Sequence, residues 1–266
     1  MERVVLIIGA SSGIGLSCAQ RFVNAGDKVV NMSRRDCPIP EVRNIRLDVT
    51  DENSVIDAWN YFTAEFSHLD IFIYSAGFSM ASPVEYAQEQ DYRYLFEVNF
   101  FGYLNFLKKS IPYLKESGGT ACVVGSTGGV APIPYDCFYS ASKAALNMLT
   151  AALWHELKPL GITAICVMPG GTKTHFTFKR KEYKPEDVGE YGVALTKAAQ
   201  ALAEIEQNGM EAESVAKTIY RKCTRRPCAP VYASGIANKL SAFLIRLIPQ
   251  RLVYLIVKKQ FDLDRE

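Results

Sequence analysis

The first fifteen residues constrain the fold most strongly, because a short apolar run meets a glycine-rich turn there. Val4–Ile8 is a continuous apolar run, which is typical of a parallel strand that is buried on both faces. The turn Gly9-Ala-Ser-Ser-Gly13-Ile-Gly15 follows, and a helical pattern of apolar residues then runs up to Gly26. Strand, glycine turn and helix in this order predict the first unit of a dinucleotide-binding sheet.

The glycine turn also predicts where the phosphates of a dinucleotide would bind. Glycine lets the backbone approach a pyrophosphate closely, and the N-terminus of the following helix favours its negative charge. Ser11 and Ser12 can cap that helix or bind phosphate oxygens. A tight turn without a ligand is the alternative interpretation.

Apolar runs with the length of strands recur along the chain, at 28–32, 45–47, 71–74, 121–124, 162–168 and 229–232. Between them lie helical patterns, at about 88–115, 139–158, 187–208 and 212–224. Strands that alternate with helices in a chain of 266 residues predict one α/β domain, a doubly wound parallel sheet (Rossmann fold), over residues 1–235. Residues 236–266 are predicted to form an apolar helical extension.

The composition argues against several other classes of protein. A net charge of +2 gives no argument for nucleic-acid binding, and the three histidines are too far apart in the sequence for a metal site. The seven cysteines are scattered without CxxC spacing, which predicts buried free thiols in a reducing compartment. Because Met1-Glu-Arg leads directly into the first strand, we expect no signal peptide and a cytoplasmic protein.

The residues after the second strand predict the choice of dinucleotide. Folds of this kind often place Asp or Glu about 20 residues beyond the glycines, where the carboxylate binds the ribose 2′-hydroxyl. That place holds Ser33-Arg34-Arg35, and guanidinium groups suit a 2′-phosphate because they form bidentate, charge-assisted hydrogen bonds. The sequence therefore favours NADP over NAD. Two solvated loop arginines are the alternative interpretation.

A tyrosine and a lysine four residues apart are the best candidates for proton transfer. Tyr139 and Lys143 lie on one face if their segment is helical. A phenol has a pKa near ~10, and a neighbouring ammonium lowers it toward the range of a useful acid and base. Ser126 follows an apolar strand thirteen residues upstream of Tyr139. The alternative interpretation is a chance match on a helix face.

Asn99 is a polar residue in a strongly apolar helical pattern, between Val98 and Phe100. A buried amide needs a hydrogen-bond partner. The sequence leaves open whether that partner belongs to a functional site or is only structural.

These motifs, in this order, resemble the short-chain dehydrogenase/reductase family over almost the whole chain. The family's adenine-contacting Asp-Val matches Asp48-Val49, and its Pro-Gly segment with a later threonine matches Pro169, Gly170 and Thr174. Its helix asparagine and its catalytic serine, tyrosine and lysine match Asn99, Ser126, Tyr139 and Lys143.

The chain also departs from the family pattern at two places. Ile8 stands where the family often has threonine, and Tyr74-Ser75-Ala76-Gly77 replaces Asn-Asn-Ala-Gly. Ala76 and Gly77 can still present their backbone to the nicotinamide ribose.

The resemblance implies a role for each catalytic residue. Tyr139 would donate a proton to the substrate oxygen during ketone reduction, or remove one during alcohol oxidation. Ser126 would hold that oxygen, and Lys143 would lower the tyrosine pKa and bind the nicotinamide ribose. Asn99 would position a water molecule that links Lys143 to solvent.

The predicted cofactor is NADP, with no metal, and its predicted site comprises Gly9, Ser11, Ser12, Gly13, Ile14, Gly15, Ser33, Arg34, Arg35, Asp48, Val49, Ala76, Gly77, Asn99, Tyr139, Lys143, Pro169, Gly170, Thr172 and Thr174. A polar and aromatic stretch at about 173–190 is predicted to be a mobile lid. The predicted substrate pocket comprises Ile133, Tyr135, Phe138, Gly171, His175 and Phe176.

The leading prediction for the activity is NADP-dependent interconversion of a secondary alcohol and a ketone on a hydrophobic substrate. Length and an apolar tail resemble family members that act on hydroxysteroids and other lipid-like alcohols. A 3-oxoacyl or small-carbonyl reductase is the alternative enzyme. A non-catalytic, NADP-binding regulatory protein is the alternative from a different class.

The tail from Ile236 to Phe261 is apolar but carries five basic residues, and Pro249 interrupts it, so it does not read as a spanning helix. It could lie on a membrane surface, cover the pocket or pack on a partner subunit. The helical regions at 88–115 and 139–158 are apolar on more than one face, and with the family resemblance they predict a homodimer or homotetramer.

Overall fold

The computed structural model describes residues 2–225, 227–245 and 247–262. Arg246 and residues 263–266 of the predicted tail lie outside these ranges. In chain order the strands are β1 (Val4–Ile8), β2 (Lys28–Ser33), β3 (Arg43–Arg46), β4 (Ile71–Tyr74), β5 (Met80–Ala81), β6 (Thr120–Val124), β7 (Thr163–Met168), β8 (Thr172–Lys173), β9 (Lys181–Glu182), β10 (Met210–Glu211) and β11 (Val231–Ala233).

Seven of these strands form the central sheet of the described residues, in the order β11-β7-β6-β4-β1-β2-β3, and every neighbouring pair is parallel. The order reverses between β1 and β4, which opens a crevice at their carboxyl ends, the usual ligand site of such sheets. All five residues of β1 are buried, as the continuous apolar run indicated. The predicted doubly wound parallel sheet is confirmed.

The helices are α1 (Gly13–Val23), α2 (Glu52–Glu65), α3 (Glu89–Phe96), α4 (Gly102–Ser117), α5 (Cys137–Leu157), α6 (Gly192–Gln207), α7 (Ala212–Thr224), α8 (Ile236–Leu244) and α9 (Gln250–Gln260). Helices α1 and α7 cover one face of the sheet, where Phe22 packs with Val215 and Ile219. Helices α2, α4 and α5 cover the other face, where Trp59 and Phe106 belong to one core cluster. The result is a three-layer arrangement around a single sheet.

The predicted long helix at 88–115 is interrupted, because a π-helical turn, Glu97–Phe101, separates α3 from α4. Two interactions accompany this wider turn. The Tyr74 hydroxyl donates a hydrogen bond of 2.5 Å to the Val98 carbonyl, and Gly102 leaves the room that this hydroxyl occupies, since a Cβ atom there would collide with it. Such π turns are frequent at functional sites.

The predicted lid at 173–190 has local structure of its own. It contains the short helical turns Thr177–Lys179 and Pro185–Asp187, and its strand β9 pairs in parallel with β5. Arg180, between these elements, is buried. The segment is therefore anchored to the body of the domain, and its mobility stays a prediction.

Three large apolar side chains remain exposed on the helical regions for which we predict a subunit contact. Tyr94 is 40% exposed, Phe101 is 44% exposed, and Met148 on α5 is 74% exposed. Exposed apolar groups of this size favour association when a second surface can cover them.

We predict that the chain has at least the mass of a dimer in multi-angle light scattering. The double substitution of Phe101→Glu and Met148→Glu should reduce the mass to that of one chain, because it places charges in the contact. Val193→Glu is the matched control, since Val193 is as exposed as Met148 but lies on α6. A wild-type monomer at micromolar concentration would contradict the prediction.

Candidate active site

One cavity of about 950 Å³ lies at the carboxyl edge of the sheet. It is lined by most of the residues that the sequence analysis assigned to the cofactor and to catalysis: Gly9, Ser11, Ser12, Gly13, Ile14, Ser33, Arg34, Arg35, Asp48, Val49, Ala76, Gly77, Ser126, Tyr139, Lys143, Pro169, Gly170, Thr172 and Thr174. Residues from many separate parts of the chain therefore meet at one site.

The glycine turn is shaped by close contacts between backbone segments. Gly9 has φ +96, and a Cβ atom on it would lie 2.9 Å from the Ala76 amide nitrogen. A Cβ atom on Gly15 would collide with the Gly9 carbonyl oxygen. Gly15 thus packs behind the turn and is not among the lining residues of the cavity, and its predicted contact with the cofactor stays a prediction. Because Gly15 has no side chain, helix α1 can begin directly against the turn.

The first turn of α1 is available to an anion. Among the described residues, the Ser12 side chain accepts no capping hydrogen bond from the α1 backbone, so the first N–H groups of the helix keep their positive partial charge. Ser12 has the extended backbone typical of a residue before a helix. This arrangement fits a pyrophosphate group.

The end of the cavity near β2 is strongly basic. Arg34 and Arg35 line it together with Lys179, whose Nζ donates a hydrogen bond of 3.3 Å to Ser12 Oγ. Burial lowers the pKa of Lys179, and the charges of Arg35 and Arg34 lower it further. The basic side chains of Arg34, Arg35 and Lys179 therefore lie close together at this end of the cavity. Lys179 was missed in the sequence, because a lysine in a long loop gives no signal of where it folds.

Ser126 and Lys143 are both held by the end of β6. Ser126 follows that strand, and its Oγ accepts a hydrogen bond of 3.0 Å from the Gly128 amide. Lys143 is buried on α5, and its Nζ donates a hydrogen bond of 2.9 Å to the Val124 carbonyl. Burial lowers the pKa of Lys143 to about 8, so that its charged form still predominates at neutral pH.

Tyr139 lies beside both residues, with the Lys143 Nζ 5.6 Å from the centre of its ring. Burial raises the pKa of Tyr139, and a hydrogen bond with Ser126 lowers it. The charges that act on it belong to Asp136 and Glu206, which raise the pKa, and to Arg180, which lowers it. The pKa of Tyr139 is therefore raised overall, because desolvation of the phenolate has the largest effect. This direction is the opposite of the lowering by Lys143 that we expected from the sequence.

The side chain of Asn99 lies behind the cavity wall rather than in it. Its Oδ1 accepts a hydrogen bond from the Phe78 amide, and its Nδ2 donates to the Phe78 carbonyl, each at 3.0 Å. The same Nδ2 donates to Ser142 Oγ at 3.1 Å. Asn99 therefore ties the loop after β4 to α5, which is a positioning role. The predicted water-mediated role stays a prediction.

Comparison with known proteins agrees with this geometry. Residues 3–185 match the family model described as short chain dehydrogenase. The chain belongs to the short-chain dehydrogenase family. Its relatives include a 3-ketodihydrosphingosine reductase of Bacteroides thetaiotaomicron. The two proteins are 32% identical over 227 residues, and the alignment covers 84% of each chain.

Two further comparisons extend over nearly the full length. An NADPH-dependent 1-acyldihydroxyacetone phosphate reductase of Saccharomyces cerevisiae is 26% identical over 283 residues, covering 99% of this chain and 93% of the yeast protein. The crystal structure of a short-chain dehydrogenase from Streptomyces avermitilis superposes with a TM-score of 0.81 at 26% identity, over 97% of both chains.

The substrate end of this short-chain dehydrogenase differs in part from the prediction. Ile133, Gly171, His175 and Phe176 line the cavity, as predicted. Phe138 lies elsewhere and stacks on Tyr92, with ring centres 5.0 Å apart.

Tyr135 does not line the cavity directly. It packs against the cluster of Val188 and Leu195 and also against the cluster of Leu202 and Phe261. On α5, adjacent side chains point about 100° apart, and Phe138 points toward Tyr92 while Tyr139 lines the cavity.

The apolar wall comes instead from two helices near the C-terminus. Leu202 and Ile205 of α6 line the cavity, and so do Val257 of α9 and Phe261 just after it. These four residues form one cluster, to which Ile133 also belongs. Helix α9 thus contributes to the cavity wall, one of the three roles that the sequence left open for the tail.

A group of buried charges lies close to the same wall in this short-chain dehydrogenase. Arg180 Nη2 donates a hydrogen bond of 2.7 Å to a Glu206 carboxylate oxygen, and Arg180 Nε donates one of 2.9 Å to Ser79 Oγ. Asp136 Oδ1 accepts from the Met80 amide at 3.1 Å, and burial raises the pKa of Asp136 to about 7. These residues anchor the 173–190 segment, and no motif in the sequence indicates that they would meet.

The contact between Gly15 and Gly9 yields a stability prediction. Gly15→Ala should lower the free energy of unfolding by about 3 kcal/mol or more, because a methyl group has no room there. Gly26→Ala is the matched control: Gly26 has φ +80 and no neighbour within 4 Å among the described residues, so only backbone strain of about 1 kcal/mol is expected. Urea unfolding measures both, and equal losses would contradict the interpretation.

Proposed function

We propose that this chain is an NADP(H)-dependent oxidoreductase that interconverts a secondary alcohol and a ketone on a hydrophobic, lipid-like substrate. The observation that carries the proposal is the composition of a single cavity. It combines a basic end with Arg34 and Lys179, the hydroxyls of Ser126 and Tyr139, and an apolar wall that includes Phe261.

The residues present fit NADP(H). The open N-terminus of α1 and the backbone at Gly13 would hold the pyrophosphate, and Arg34, Arg35 and Lys179 would surround the 2′-phosphate. The remaining wall would contact the adenine, the nicotinamide and its ribose through Asp48, Val49, Ala76, Gly77, Lys143, Pro169, Gly170, Thr172 and Thr174. When bound, the nicotinamide supplies or accepts the hydride.

The chain's own residues then control the proton at the substrate oxygen. Ser126 Oγ, which the Gly128 amide holds in place, would hydrogen-bond the carbonyl oxygen and orient it. Tyr139 would donate its hydroxyl proton to that oxygen in reduction and would accept a proton in oxidation. Lys143, cationic at neutral pH, would favour the phenolate that forms during reduction and so offset part of its desolvation.

The apolar wall and the relatives favour a ketone on a lipid. The names of the Bacteroides and yeast relatives specify reductases of a keto sphingoid base and of an acylated dihydroxyacetone phosphate. Both substrates pair a small ketone-bearing head with an alkyl chain, which an apolar wall of Leu202, Ile205 and Val257 would suit. A hydroxysteroid is compatible with the same wall, but neither of these two relatives points to it.

Two alternatives remain distinguishable by experiment. A 3-oxoacyl or small-carbonyl reductase would use the same catalytic residues on a shorter or thioester-linked ketone. A non-catalytic NADP-binding regulator would need none of Ser126, Tyr139 and Lys143, so that their presence around one cavity argues against it. Consumption of NADPH with keto lipids, keto steroids, 3-oxoacyl thioesters and small ketones separates these functions. No turnover of any ketone would overturn the enzyme proposal.

We predict that cofactor choice depends on the three cations. Arg34→Ala or Lys179→Ala should raise the KM for NADPH about ten- to a hundredfold, because each removes a charged contact with the 2′-phosphate, and should leave the KM for NADH nearly unchanged. Lys173→Ala is the control, since Lys173 lies nearby in sequence but pairs with Glu211 at the surface. Equal effects on both cofactors would contradict the assignment.

We predict that Tyr139→Phe lowers kcat by about 10²–10⁴-fold at saturating NADPH, because the substrate oxygen loses its proton donor. Binding of NADPH, followed by its fluorescence, should change little. Tyr92→Phe is the control, since Tyr92 packs on Phe138 outside the cavity wall. Near-normal reduction by a folded Tyr139→Phe enzyme would rule out this mechanism.

A further inference from the structure

The surface of the two C-terminal helices is unusually apolar. Nine of the eighteen large apolar side chains that are exposed in the described residues lie between positions 236 and 256: Ile236, Leu240, Phe243, Leu244, Leu247, Leu252, Tyr254, Leu255 and Ile256. We call these nine residues the tail surface. A concentration of exposed apolar side chains on two neighbouring helices favours an interaction site, whereas single exposed apolar residues do not.

The tail surface is the outer side of helices that are already docked on the domain. Ala242 of α8 is buried in the main core cluster, and Val253 of α9 is buried as well. Phe261, just after α9, packs with Leu202 of α6. The inner sides therefore satisfy the packing of the domain, yet the outer sides are apolar where a helix facing water is normally polar.

The charges of this segment indicate what covers it. From Ile236 to Gln260 the sequence has no Asp or Glu, and its charged residues are Lys239, Arg246, Arg251, Lys258 and Lys259. The basic character extends beyond the tail, since burial lowers the pKa of Lys222 and the neighbouring charges of Arg221 and Lys239 lower it further. Apolar helices with basic residues match the interface of an anionic bilayer, where apolar groups enter the acyl region and cations meet headgroups.

A second copy of the chain fits this surface less well. A symmetric dimer would place the tail surface against itself, and basic residues of one segment, such as Lys239 and Arg251, would come close to those of the other. Like charges brought together in this way oppose association. The charge pattern thus favours lipid over self-association.

The dimensions favour a helix that lies on the bilayer. Helix α9 has 11 residues, which is about 16 Å of length against roughly 30 Å of hydrocarbon. Among the residues that the structure describes, no helix combines the length and the apolar character needed to span a membrane.

We propose that the tail surface binds the surface of an anionic lipid bilayer. Helix α9 takes part in both sites, because Val257 and Gln260 line the cavity while Leu252, Leu255 and Ile256 belong to the outer side. Docking would bring the apolar wall of the cavity next to the membrane. This last consequence rests on the proposed function; binding to lipid does not.

The test is co-sedimentation of the full chain with phosphatidylcholine vesicles that contain phosphatidylserine. We expect binding that weakens with added salt and that falls at least about tenfold when phosphatidylserine is left out. Substituting Phe243→Glu together with Leu255→Glu should abolish binding, and Arg251→Glu with Lys259→Glu should weaken it at least about tenfold. The control is Val193→Glu, an exposed apolar residue outside the tail.

Folding and activity of each variant are checked separately, by circular dichroism and by turnover of a water-soluble ketone. None of the substituted residues lines the cavity described above, so both should be retained. The proposal is overturned if the wild-type chain stays in the supernatant with anionic vesicles at low salt. It is also overturned if the tail substitutions leave vesicle binding unchanged. If the wild-type chain does not bind vesicles and the tail substitutions reduce its molar mass in solution, the tail surface is a subunit contact instead.

Discussion

The buried amide of Asn99 joins three segments that must stay in register for the site to exist. It bonds both the N–H and the carbonyl of Phe78, after β4, and it bonds Ser142 on α5. Ser142 in turn donates a hydrogen bond of 2.7 Å to the Tyr139 carbonyl. The loop that carries Gly77 and the helix that carries Tyr139 and Lys143 are thus fixed to each other by one side chain. Leaving such a group unpaired would cost about 1–3 kcal/mol for each lost partner.

Burial of the catalytic pair sets a balance between charge and desolvation. The same low-polarity surroundings raise the pKa of Tyr139 and lower the pKa of Lys143 to about 8. The phenol is therefore protonated when it meets a ketone, as a proton donor must be. The Lys143 ammonium, bonded to the Val124 carbonyl, lies close enough to respond when negative charge develops on the phenolate. Tyr139 is thus neutral before the reaction and is stabilised by Lys143 only as it loses its proton, which is what a proton donor in ketone reduction needs.

The fold and the cofactor side of the site could be predicted because their signals are local. Strands buried on both faces appear as apolar runs, the glycine turn needs its glycines for backbone contacts, and a pair four residues apart shares a helix face. The substrate side could be predicted only in part, since Ile133, Gly171, His175 and Phe176 line the cavity but its apolar wall from the C-terminal helices was not foreseen. Leu202, Val257 and Phe261 reach the cavity through packing between distant helices, and such contacts leave no periodic pattern.

Charges illustrate the same limit. Arg34 and Arg35 could be predicted because they follow β2, at the position where this fold binds the 2′-hydroxyl or 2′-phosphate of the cofactor's ribose. Lys179 gave no such signal, because it belongs to an irregular segment whose course depends on long-range contacts. The π turn at Asn99 had no sequence signal either, since the contact that accompanies it comes from the hydroxyl of Tyr74, on a strand more than twenty residues away.

Two adjacent residues in the 173–190 segment are attached to different parts of the molecule. Lys179 reaches Ser12 at the glycine turn, whereas Arg180 is paired with Glu206 on α6 beside the apolar wall. One peptide bond therefore connects the basic end of the cavity to its apolar end. The same short segment therefore supplies a contact to each end of the cavity, and its position is determined by the glycine turn as well as by α6.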